Sequence, residues 1–120
     1  MKKKILVIDD EMHIRMLYQE ELEADGYTVA LSDGREDVLT VVKRENPDLV
    51  VLDIKLEGLP YTGLDLLQAI RSEFQSLPVI LSTAFDSFQH DLKSIAADAY
   101  VVKSVDLSTL KDTIKTVLAL

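Results

Sequence analysis

Four apolar runs, each closed by polar residues, constrain this chain more than any other feature. Ile5-Leu6-Val7-Ile8 is closed by Asp9-Asp10, and Leu49-Val50-Val51-Leu52 by Asp53. Val79-Ile80-Leu81 is closed by Ser82-Thr83, and Tyr100-Val101-Val102 by Lys103. Short runs without polar alternation suit strands buried on both faces. As parallel strands, their carboxyl ends share one sheet edge, where open α/β sheets place their ligands. Three carboxylates, a hydroxyl and an ammonium then meet in one crevice. That set suits a hard divalent cation and a transferring phosphoryl group.

Strand-like and helix-like segments alternate five times without a linker or repeat, so residues 1–120 read as one domain. The first strand covers residues 4–9. A helix over residues 12–24 follows, with Ile14, Leu17 and Leu22 near helical spacing and Asp25-Gly26 as its stop. Residues 28–31 form a second strand. Ser32-Asp33-Gly34 offer caps for a second helix, which turns Val38, Val41 and Val42 inward and ends at Asn46-Pro47. The third strand is 49–53, a loop covers 54–62, and Gly63 opens a third helix with Leu64, Leu67 and Ile70 as its stripe. Strand four is 79–83, and helix four, over 85–96, carries a weak stripe of Phe88, Leu92 and Ile95. Strand five is 100–103. Asp106 or Ser108 caps the last helix, with Leu110, Ile114, Val117 and Leu118 inward. The expected fold is α/β: a doubly wound, five-stranded parallel sheet with five helices. The flavodoxin-like strand order 2-1-3-4-5 is chosen because it makes Asp9, Asp10 and Asp53 neighbours at the switch point.

The formal net charge is −8. Direct partnership of this domain with nucleic acid or an anionic membrane is therefore not expected. A phosphate donor is repelled too, unless a bound cation neutralises the crevice. The chain has no cysteine, which excludes disulfides, thiolate metal sites and cysteine nucleophiles. The basic start Met1-Lys2-Lys3-Lys4 precedes an apolar run too short for a signal peptide, and no run approaches the ~18 residues of a membrane span. A cytoplasmic address is the default expectation. His13 and His90 have no spaced partner for a zinc site. Phe85 and Phe88 suit either core packing or a partner-binding patch.

With these pieces in place, the chain resembles the receiver domain of bacterial two-component response regulators. The resemblance spans its whole length. It is carried by Ile8-Asp9-Asp10-Glu11, Val51-Leu52-Asp53, Ser82-Thr83-Ala84 and Ala97-Asp98-Ala99-Tyr100-Val101-Val102-Lys103, in that order. It implies a CheY-like fold and a signalling phosphoacceptor rather than a metabolic enzyme, catalysing only its own phosphorylation and dephosphorylation. Asp53 is then the nucleophile, taking a phosphoryl group from a sensor histidine kinase or phosphotransfer protein. Its carboxylate is expected to be ionised near neutral pH. Asp10 would bind Mg²⁺ directly and Asp9 through water, with Asp53 and the backbone carbonyl of Lys55 as further ligands. Lys103 would pair with phosphoryl oxygens, Thr83 would donate its hydroxyl, and small Ala84 would leave the approach open. Thr83 and Tyr100 match the switch pair. The resemblance further implies control of a downstream protein or output domain, and a possible homodimer through the fourth helix, fifth strand and last helix.

Two departures from the family pattern stand out. Glu57 occupies the place of the usual proline four residues after the phosphoacceptor, and Gly63 lies ten residues after Asp53 instead of eight. A two-residue insertion within residues 57–62 accounts for both, and its removal is expected to leave the fold intact. Ser104 stands where the family places a proline, often behind a cis bond. A cis bond before serine costs roughly 2.5–4 kcal/mol, so a trans Lys103–Ser104 bond is expected. Two rival readings remain. One is a pseudo-receiver or flavodoxin-like interaction module that is not phosphorylated. The weaker one is an aspartyl phosphatase, which would want a second aspartate where Lys55 stands.

Overall fold

The computed structural model describes residues 2–84, 97–104 and 106–119. Its centre is a five-stranded parallel sheet of order β2-β1-β3-β4-β5. The strands are β1 (Lys4–Ile8), β2 (Thr28–Ser32), β3 (Leu49–Asp53), β4 (Val79–Thr83) and β5 (Ala99–Val102). The four helices among the described residues are α1 (Met12–Ala24), α2 (Val38–Glu45), α3 (Gly63–Glu73) and, last in the chain, α4 (Ser108–Leu118). The expected helix over residues 85–96, with Phe85, Phe88, His90, Leu92 and Ile95, lies outside the described residues. The expected flavodoxin-like order is the one observed.

Alternation along each strand divides the core into two layers. Leu6, Ile8, Val50, Leu52 and Leu81 face α2 and α3, where they meet Val41, Val42, Leu67 and Ile70. Ile5, Val7, Val51, Ile80 and Val101 face α1 and α4, where they meet Tyr18, Leu22, Leu110 and Ile114. Every residue of β3 and β4 is buried, which explains their unbroken apolar sequence. Each fully buried Leu or Ile contributes about 1.5–3 kcal/mol relative to exposure. Among the described residues, no helix is long and apolar enough to cross a membrane.

Several local expectations shift. The buried residues of α1 are Tyr18 and Leu22, one helical turn apart, while Leu17 lies at the rim and Met12 and Met16 are exposed. Helix α2 starts later than its expected caps. Ser32 and Asp33 close tight turns by accepting the N–H groups of Gly34 and Arg35. Asp37 caps the helix instead, accepting the Thr40 N–H at 3.0 Å. Asn46, at φ 47°, ends it in the left-handed conformation. Helix α3 opens with a capping box between Thr62 and Asp65. Asp106 accepts the Ser108 N–H at 2.9 Å, while Leu107 holds the N-cap position of α4. Strand β5 runs one residue earlier than expected, so Lys103 lies just beyond it.

Candidate functional site

Strand register brings the polar ends level. Ile8 pairs with Leu52, Asp53 with Ser82, and Thr83 with Val102. Past the ladders, the Asp9 N–H donates to Ser32 C=O at 3.0 Å and the Lys103 N–H to Thr83 C=O at 2.7 Å. Parity then sorts the side chains. Asp9, Asp53, Ser82 and Lys103 each come two residues after Val7, Val51, Ile80 and Val101, on the α1/α4 side. Thr83 comes two residues after Leu81, on the α2/α3 side.

The Lys103 ammonium lies 2.6 Å from Asp9 Oδ2 and 3.3 Å from Asp53 Oδ2. Asp9 and Asp53 are both buried. Asp9 Oδ1 accepts the Glu11 N–H at 2.9 Å, so both of its oxygens are engaged. Arg15 donates to the Asp9 carbonyl at 2.7 Å and fixes that turn from one helical turn away. Asp10 Oδ2 accepts the Glu57 N–H at 3.0 Å. Oxygens of Asp9, Asp10 and Asp53 lie within 4.8 Å of one another, the one such carboxylate trio among the described residues. Three hard oxygen donors at this spacing, two of them already hydrogen-bonded into place, fit Mg²⁺.

Burial pushes the Asp53 carboxyl up to about 7, the Asp9 charge adds to the rise, and Lys103 only partly opposes it. Without a cation, Asp53 therefore titrates near neutrality, above the ordinary range of an aspartate. Burial alone would lower Lys103, but the Asp9 hydrogen bond and the charges of Asp53 and Asp9 outweigh it and raise the ammonium's pKa. A crevice of about 170 Å³ opens above Asp53, bordered by Thr83, Ala84, Lys103, Lys55, Glu11 and Glu57. Thr83 is buried and Ala84 exposed at its mouth. Lys55 directs an exposed side chain to within 3.9 Å of Glu57. Tyr100 is half-buried against the α2/α3 layer. The Lys103–Ser104 bond is trans, as expected.

The β3–α3 loop is fastened to its neighbours. Leu56 is buried, Leu59 packs beside Gly34, and the Tyr61 hydroxyl donates to Gly34 C=O. Removing two residues would have to spare these anchors. Gly63 donates its N–H to Ile54 C=O at 2.7 Å, and a Cβ built on it would sit 1.9 Å from the Asp53 carbonyl oxygen. Sequence reasoning missed Tyr18, whose hydroxyl lies 3.3 Å from Ser82 Oγ, and the crevice-lining Glu11 and Glu57. Tyr18 was discoverable from its spacing to Leu22. The Glu57 contact to Asp10 was not, because a backbone N–H leaves no mark in sequence.

Comparison with known proteins fits this geometry. The response regulator receiver domain family matches residues 5–115. Sporulation initiation phosphotransferase F of Bacillus subtilis is 30% identical over 122 residues, covering 100% of this chain and 97% of that protein. The alkaline phosphatase synthesis transcriptional regulatory protein PhoP of the same organism is 35% identical over 120 residues, covering 98% and 49%. The probable transcriptional regulator ycf27 of Porphyridium aerugineum is 37% identical over 119 residues, covering 98% and 48%. The chain thus spans about half the length of the transcriptional regulators it matches. Among solved structures, response regulator protein TrrA of Thermotoga maritima, in complex with Mg²⁺–BeF, aligns with TM-score 0.87 at 41% identity, over 96% of this chain and 98% of its own. A receiver domain protein of Methanospirillum hungatei aligns with TM-score 0.88 at 28% identity, over 99% and 95%. Five parallel strands in this order, a carboxylate trio beside a lysine, and a family match over most of the length converge: the chain belongs to the response regulator receiver domain family.

Proposed function

We propose that the chain is the phosphoacceptor switch of a two-component phosphorelay, with Asp53 as acceptor. The observation that carries this reading is the buried Asp53 carboxylate, held 3.3 Å from the Lys103 ammonium and grouped with Asp9 and Asp10 at the foot of an open crevice. An Asp53 oxygen attacks the phosphorus of a phosphohistidine on a sensor kinase or phosphotransfer protein. An O–P bond forms, the N–P bond breaks, and its electron pair leaves on the imidazole. Mg²⁺, held by Asp10, Asp9, Asp53 and the Lys55 carbonyl, would supply the positive charge that keeps Asp53 ionised and screens the donor. Lys103 and the Thr83 hydroxyl take the phosphoryl oxygens, and Ala84 leaves their approach clear.

Phosphorylation replaces one carboxylate charge with about two. Thr83 and Tyr100, on β4 and β5, are the residues through which that charge would bias a two-state equilibrium. The responding surface includes β5 and α4 and serves a downstream protein, an output domain or a second copy. The domain has no other substrate, binds neither nucleic acid nor membrane directly, and works in the cytoplasm.

Intact mass after incubation with acetyl phosphate and Mg²⁺ tests the reading. The expected result is one added phosphoryl group, absent in Asp53→Asn and absent with chelator. Folded protein that gains none from acetyl phosphate or from a phosphorylated kinase would instead be an interaction module with this fold.

A further inference from the structure

Of the two buried residues of α1, only Tyr18 carries a hydroxyl. A phenol in an apolar layer needs a partner, and Ser82 supplies it at 3.3 Å. Ser82 stands opposite Asp53 in the β3–β4 ladder. Tyr18, Asp53, Ser82 and Lys103 share one side of the sheet, as strand parity shows.

Tyr18 and Lys103 also border one groove of about 330 Å³, with Ile14, Leu17 and Ser104. Lys103 therefore reaches Asp9 and Asp53 along a wall that includes Tyr18. The residue after Lys103 is Ser104 rather than a proline, so no ring fixes the backbone there. The Lys103 backbone N–H is tied to Thr83 C=O and its ammonium to Asp9 and Asp53, and between these anchors the lysine borders the same groove as Tyr18.

We propose that Tyr18, anchored by Ser82, is a positioning residue that holds the Lys103 ammonium on Asp9 and Asp53. Its effect on rate rests on the phosphoacceptor reading; its effect on Lys103 does not. Tyr18→Phe keeps the ring and removes the hydroxyl, and Ser82→Ala removes the partner. Neither substitution replaces a carboxylate or the lysine.

Two readouts test the pair. In NMR spectra of the cation-free protein, the two Hε protons of a held Lys103 are inequivalent. Both variants should move them toward equivalence, while those of Lys111, held by Glu21 at 3.0 Å, stay unchanged. Phosphoryl incorporation from acetyl phosphate at saturating Mg²⁺ should slow by roughly three- to tenfold in each variant, the rate equivalent of one hydrogen bond. The double variant should be no slower than either single, and Tyr18→Phe should have no effect in a Lys103→Ala background. Unchanged Lys103 signals in Tyr18→Phe would overturn the proposal, as would slowing that persists without Lys103. Wild-type protein that gains no phosphoryl group would defeat the phosphoacceptor reading, and the Lys103 signals would still decide the role of Tyr18.

Discussion

Gly63→Ala should destabilise the fold out of proportion to a single methyl group. The added Cβ would sit 1.9 Å from the Asp53 carbonyl oxygen and 2.8 Å from Ile54 Cα, where real Cβ atoms keep at least 3.0 Å. Helix α3 or the end of β3 must therefore retreat by about an ångström, a displacement close-packed interiors resist. The obstructing atoms are backbone, so no rotamer change relieves them. The same retreat strains the 2.7 Å bond from Gly63 N–H to Ile54 C=O. Overpacking costs about 1–3 kcal/mol and a weakened buried hydrogen bond about 1–3 kcal/mol. Alanine recovers about 0.4–1 kcal/mol by restricting the unfolded chain. The net loss is about 1–5 kcal/mol, which for a domain of this size lowers Tm by roughly 4–20 °C. Calorimetry or circular-dichroism melting in chelator measures it. Gly58→Ala is the comparison. Its Cβ meets nothing within 4 Å, and only its φ of +76° is unfavourable, so its loss should be about 1–2 kcal/mol. A Gly63→Ala protein melting within about 3 °C of wild type would refute the steric account.

Two further outcomes follow from the same geometry. The Asp53 carboxyl is raised from 3.8 to about 7 on folding, so between those values the folded state holds more proton than the unfolded state. Its contribution to stability is greatest below about pH 4 and is lost as pH rises through about 7. Denaturant midpoints at pH 5 and pH 8 in chelator should therefore show a decline that Asp53→Asn flattens; an equal decline in both proteins would contradict the shift. Tyr61→Phe removes the hydroxyl that donates to Gly34 C=O and should cost about 1 kcal/mol, with faster amide exchange in the two loops it joins. Unaltered exchange there would mean that Leu56 and Leu59 alone hold the loop.

The chain's own order of residues determined the class of fold and the place where the carboxylate trio and Lys103 gather. Unbroken apolar runs can only be buried on both faces, and their polar ends mark one edge of a parallel sheet. Asp9, Asp10, Asp53 and Lys103 were legible for that reason, since strand ends are local features and each is announced by the run before it. Tertiary structure decided what depends on through-space company. Asp53 titrates near neutrality because the fold buries it, and because Asp9, just past the end of β1, adds its charge. Asp10 is steadied by a backbone N–H of Glu57, 47 residues away. Gly63 has no room for a Cβ without a backbone shift, because α3 begins against the carbonyl of Asp53. Tyr18 faces inward while Leu17 does not, because the rotation of α1 is set by packing against the sheet. Local periodicity fixes which residues share a face; only packing selects the face, and the neighbours that shift a pKa come with it.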